Sequence, residues 1–113
     1  MENPTLEARM VRIEPVENFA EDYVLGSGFL GYYSWHGGFS RVDDGYLFTL
    51  EDPYNDGWKH YELKPQQLWD AFIDLVNEGA PCVSGLDVQD PDIDAGIADS
   101  ILQKAAYGEI VFA

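Results

Sequence analysis

The period of the hydrophobic positions changes several times along the chain, and each change marks an element. Met10, Val11 and Ile13, with Arg9 and Arg12 between them, read as a short strand after a loose start over residues 1–7. Pro15 suits the first turn of a helix, and Val16, Phe19, Ala20, Tyr23 and Val24 then fall on one stripe at helical spacing until Gly26 and Gly28 stop it. "FLGYYSWH" (29–36) is aromatic and strand-like and is expected to break at Gly37-Gly38; "GYLFTLED" follows the turn chemistry of Asp43-Asp44-Gly45 as a second strand. After the loop signal "DPYNDG", the run "WKHYEL" sets Trp58, His60 and Glu62 on one side against Lys59, Tyr61 and Leu63 on the other. These three runs predict an antiparallel meander.

The second half changes to helical spacing. Pro65 opens a helix with Leu68, Phe72, Leu75 and Val76 on its inner face, Trp69 and Ile73 at the edge of that face, and Gly79 closing it. "APCVSG" is a connector, and a further helix over roughly 95–107 turns Ile97, Ile101, Leu102, Ala105 and Ala106 inward before Gly108 ends it. "EIVFA" then predicts a terminal strand. The expected fold class is α+β: a small antiparallel sheet, a three-stranded meander plus the terminal strand, packed against two or three α-helices.

Length and composition agree with one domain over 1–113. A chain of 113 residues has room for a single core, and with 46% apolar residues, 3 Trp, 7 Tyr and 6 Phe it has the means to build one. No run of eighteen apolar residues and no basic-then-apolar leader is present, so a soluble chain without export signals is expected. One cysteine, Cys82, excludes an internal disulfide and suits a reducing cytoplasm.

Charge changes the picture more than any other total. Twenty-one acids against six bases leave a net −15 with a pI near 4.1. Direct nucleic-acid binding requires Lys and Arg to neutralise phosphates, and an anionic membrane surface requires the same, so both are excluded as partners. A basic partner, a cation or plain solubility remain. Spread evenly over the roughly 6,200 Å² that a protein of this mass exposes, the net charge amounts to about one per 400 Å². Duplex DNA, as a cylinder of ~10 Å radius with a charge per ~1.7 Å of axis, carries about one per 110 Å². Imitation of DNA therefore requires the acids to gather on one face.

The densest stretch is "DVQDPDIDAGIADS", with Asp87, Asp90, Asp92, Asp94 and Asp99 in fourteen residues. Asp90, Asp92 and Asp94 match positions 1, 3 and 5 of a calcium loop, but Ala95 stands where the glycine belongs and Ile101 where the bidentate glutamate belongs. Asp94 fits a helix N-cap, with Asp90 and Asp92 off the positive end of the same helix. Capping needs one or two carboxylates, so the excess points to a rim presented to Arg and Lys. Asp43, Asp44, Glu51, Asp52 and Asp56, all in or beside turns, extend that rim if the loops lie together.

Cys82, His36 and His60 sit in no nucleophile or zinc motif, and "GSGFLG" precedes a strand-like run instead of opening a helix, so no catalytic set and no cofactor is expected. The aromatic residues exceed what one face of a small sheet needs. Tyr33, Trp35 and Trp58 are therefore candidate anchors beside the acids, unless a second helix covers that face.

Two segments carry a resemblance. Gly31, Tyr32, Ser34 and Trp35, followed by Asp94, Ala98, Asp99, Ile101, Gln103, Ala105, Gly108, Glu109, Ile110 and Val111, resemble a group of small acidic proteins of phages and mobile elements. That group shows a Gly–Tyr–Trp–Ser-like segment; here the order is Tyr33-Ser34-Trp35. The resemblance covers most of residues 20–113, carries no catalytic residue across, and implies a phage–host setting. The expectation is a non-enzymatic inhibitor in the host cytoplasm, of the anti-CRISPR or anti-restriction kind and in part a DNA mimic. Its partner would be a basic host protein: a nuclease, a CRISPR effector subunit or another DNA-binding protein. Asp87, Asp90, Asp92, Asp99, Asp43, Asp44, Glu51, Asp52 and Asp56 would supply the charge, with Tyr33, Trp35 and Trp58 as anchors. The alternative is an assembly protein of a mobile element, a homodimer through the aromatic sheet face.

Overall fold

Tyr46, Phe48 and Leu50 are buried while Leu47, Thr49 and Glu51 between them are half-buried, and this alternation organises the molecule. The computed structural model describes residues 14–28 and 35–112. In it, β1 (His36–Val42), β2 (Gly45–Glu51) and β3 (Trp58–Leu63) form an antiparallel sheet in the order β1-β2-β3. The register pairs Phe39 with Phe48 and Phe48 with Tyr61, so these rings share the inner face. The molecule is α+β: helices cover the inner face, and no described helix packs on the outer one.

Helix α1 (Pro65–Glu78) begins where expected because Pro65 needs no N–H partner, and the Gln67 side-chain carbonyl accepts from the Lys64 backbone N–H at 2.8 Å. It ends at Gly79, whose positive φ lets the Gly79 and Ala80 N–H groups return to Val76 and Leu75 carbonyls. Leu68, Trp69, Ala71, Phe72, Ile73 and Leu75 line its buried side. Helix α2 (Ala95–Tyr107) packs against α1, capped by Asp94, which accepts from the Ile97 N–H at 2.8 Å, and stopped by Gly108. Burying Phe48, Leu50, Phe72, Leu68, Ile101 and Leu102 completely gives the core, at roughly 1.5–3 kcal/mol for each such side chain.

Three expectations need correction. The stripe from Val16 to Val24 does not wind as an α-helix: Asn18 takes a left-handed φ of 57°, and Phe19–Val24 form a π-helical turn that still buries Phe19, Ala20 and Val24. Gly37-Gly38 does not end the first strand but sits inside it as a bulge, with Gly38 at φ 114°. The earlier part of that expected strand, and the strand expected around Met10, fall outside the described residues. Finally, Ile110–Phe112 join no strand. Their backbone is taken by one side chain: Gln103 Oε1 accepts from Val111 N–H and Phe112 N–H, both at 2.7 Å, and Gln103 Nε2 donates to Phe112 O at 2.8 Å. Gln103 is fully buried, and its amide does for this strap what a neighbouring strand would do.

The strap closes over a polar cluster. Gln103 Nε2 also donates to Asp99 Oδ2 at 3.0 Å, Trp35 Nε1 donates to Asp99 Oδ1, and the Phe112 ring stacks on Trp35 at 5.9 Å. Burial pushes the Asp99 carboxyl above its ordinary range, against the two hydrogen bonds that favour its charged form.

Candidate protein-binding surface

Alternation assigns the outer face of the sheet. Val42 pairs with Gly45, Ser40 with Leu47, Leu47 with Glu62, Thr49 with His60 and Glu51 with Trp58, and these residues all point away from the core. Thr49 Oγ1 and His60 Nδ1 share a hydrogen bond of 3.1 Å on that face. Trp58 is 55% exposed and Val42 38%. An antiparallel sheet can leave one face in water, and no described helix covers this one.

Consecutive turns of a meander must lie at opposite ends of the middle strand. Asp43-Asp44 and the 51–57 loop are therefore about 20 Å apart along β2 and do not form one cluster. They frame the same face from its two ends, however. With Glu62 and Glu51 on the strands and Asp43, Asp44, Asp52 and Asp56 in the turns at the two ends, six carboxylates lie on or beside the outer surface, and no lysine or arginine points outward from the three strands. Of the described bases none projects from this face, although Lys59 is near enough to Asp52 to help hold its carboxyl down. Arg41 pairs with Glu21 at 2.7 Å, Lys104 with Glu78 at 2.6 Å, and Lys59 lies 5.5 Å over the Tyr61 ring on the inner side. Lys64 follows β3 at the Asp43-Asp44 end. Strands of this length, ~4.8 Å apart, give the face with its turns a footprint of roughly 450 Å², or about one carboxylate per 75 Å². Counting Lys64 and Lys59 against them leaves about one net charge per 110 Å², close to the ~110 Å² of duplex DNA.

The loop between β2 and β3 is built to hold its acids in place. Asp52 accepts from Tyr54 N–H at 2.9 Å and Asn55 N–H at 3.2 Å, and the Tyr54 N–H first of all holds the Asp52 carboxyl below its ordinary range. Glu51 is anchored on both sides, its N–H to Trp35 O at 2.7 Å and its C=O by the Tyr107 hydroxyl at 2.6 Å. Tyr54, which sequence reading passed over inside a loop signal, is the most exposed large apolar side chain described, at 72%.

The remaining candidates divide. Asp87, Asp90 and Asp92 are exposed, ahead of the N-terminus of α2; thirteen residues at ~1.5 Å place Asp94 about 20 Å along the helix from the Tyr107 end that touches Glu51. Asp87 turns its carboxylate to the Gln89 N–H at 3.0 Å. Asp99 and Trp35 are not on the surface at all: at 7% and 5% exposure they bond one another inside the molecule, because the buried stripe of α2 runs through Ala98, Asp99, Ile101, Leu102 and Gln103. Tyr33 lies outside the described residues. Among the described residues no group of three or more His, Cys, Asp and Glu side chains is arranged to hold a metal ion, and no helix is long and apolar enough to cross a membrane. Comparison with protein-family models, with curated proteins and with solved structures gives no match to this chain.

Proposed function

We propose that this chain is a non-enzymatic binding protein whose outer sheet face engages a basic, nucleic-acid-handling protein in competition with nucleic acid. The observation that carries the reading is the local charge of the outer face: six carboxylates lie on or beside it at a density close to that of duplex DNA, while the described bases lie on other sides or at its margin. In the phage–host setting that the sequence resemblance implies, such a binder is an inhibitor of host defence, of the anti-CRISPR or anti-restriction kind. Self-association through the same face is opposed by its charge, since a two-fold interface would set like-charged rims against each other.

The test is capture from host lysate on the tagged protein with a salt-step elution, followed by affinity measurement on the eluted partner. The reading expects a DNA- or RNA-binding protein whose Kd rises steeply with salt and which competing duplex displaces. A partner that binds equally well at high salt, or that binds nucleic acid and this protein simultaneously, overturns it.

A further inference from the structure

Trp58 is held in an unusual way for an exposed tryptophan. It leaves β3 on the outer face, and its ring reaches across the middle strand to β1: a Cβ built on Gly37 would lie 3.6 Å from Trp58 Cε3 and 3.4 Å from Thr49 Cγ2. Gly37 is the extra residue of the bulge, and a Cβ there would already be at contact distance, so any larger side chain would press on the ring. The indole thus lies beside the Gly37 backbone while 55% of the residue stays in water, and its strand partner across the register is Glu51. Asp56 stands in the adjoining loop.

An indole more than half in water beside carboxylates suits one chemical group better than any other. A guanidinium is planar, stacks on the ring, and still directs its edge N–H groups to a carboxylate; a lysine ammonium is a compact, strongly hydrated point charge that gains less from the flat surface. We infer that Trp58, laid over Gly37 and rimmed by Glu51 and Asp56, is an arginine-stacking subsite that makes the acidic face selective for arginine over lysine. This rests on the reading of the face as a site for a basic partner and specifies which basic residue it takes.

Fluorescence anisotropy with labelled nona-arginine and nona-lysine peptides tests it at low and at physiological salt, alongside the intrinsic emission of the protein. The wild type is expected to bind the arginine peptide about tenfold more tightly than the lysine peptide, with a change in tryptophan emission. Trp58→Ala is expected to lose most of that preference while keeping salt-dependent binding of both peptides. Gly37→Val, whose methyl groups enter the space under the ring, should reduce the preference without removing any charge or any aromatic group. Equal affinity for both peptides in the wild type, or an arginine preference that survives Trp58→Ala, overturns the subsite and leaves the acidic-face reading intact. No binding of either peptide at low salt overturns both.

Discussion

Replacing Gln103 probes how a single side chain secures the strap. In Gln103→Leu the volume is nearly kept, but four hydrogen bonds go: two from the strap N–H groups, one to Phe112 O and one to Asp99. At about 1 kcal/mol net for each, the full loss would be about 4 kcal/mol. The strap limits it, because Val111 and Phe112 can swing out and bond water, leaving Asp99 Oδ2 as the group that stays buried with one partner fewer. A cost of about 2–4 kcal/mol follows. Gln103→Glu is the sharper change. The oxygen that accepts from Val111 and Phe112 remains, but a second oxygen replaces the donor and faces Asp99 Oδ2 across the 3.0 Å that the hydrogen bond spanned. Two carboxylates that close repel by about 5 kcal/mol at an effective dielectric of ~20, so the pair takes up a proton. Its folded-state affinity for that proton exceeds the unfolded one, so the variant regains stability as pH falls through the raised pKa. Urea denaturation of wild type and both variants at neutral and mildly acidic pH, with amide exchange at Val111 and Phe112, measures all of this. The Glu variant should be the least stable at neutral pH and should close on the Leu variant under acid. A Glu variant as stable as the wild type at neutral pH, or unchanged protection of the two amides in the Leu variant, would refute the role given to Gln103.

Two further outcomes follow from the same kind of accounting. The Arg41 guanidinium first, and the Tyr46 hydroxyl with it, holds Glu21 from its ordinary value near 4.5 down to about 2. A lowered carboxylate pKa contributes stability that is complete above the ordinary value and is lost as pH falls toward the folded one, so wild type and Arg41→Met should differ most above pH 5 and converge near pH 2. A difference that stays constant over that range in urea titrations would count against the ion pair as its cause. Asp94→Ala should cost about 1 kcal/mol through loss of the α2 cap, and an unchanged midpoint of thermal unfolding would show that the cap bond contributes nothing.

The sheet was legible wherever a residue's neighbours in sequence decide its side. Alternation in "WKHYEL" put Trp58, His60 and Glu62 on one face, and β3 carries them there. Pro65 with Gly79, and Asp94 with Gly108, bounded both α-helices for local reasons of backbone geometry. The misreadings share another cause. "EIVFA" has strand propensity, but what its backbone pairs with is a side chain on α2, which no local pattern reveals. Asp99 read as a surface letter because periodicity counts apolar positions; its bonds to Gln103 and Trp35 make it an interior one. Two adjacent glycines read as a break because glycine permits one, and the bulge is the other structure it permits. As for the candidate surface, its acids were recognised but not their grouping, since whether turns share an end or a face is a property of strand order.

Alternation along β2 has a consequence for how such a protein can change over generations. Tyr46, Phe48 and Leu50 answer to the core, while Leu47, Thr49 and Glu51 face outward. Substitutions at exposed positions away from special contacts usually move stability by no more than about 0.5 kcal/mol, so the exposed outward letters of the neighbouring strands, such as Ser40, Val42 and Glu62, can be rewritten while the inward ones stay fixed. Descendants of this chain under selection by a shifting partner would diverge at every second residue of those strands, and the fold would not register the contest.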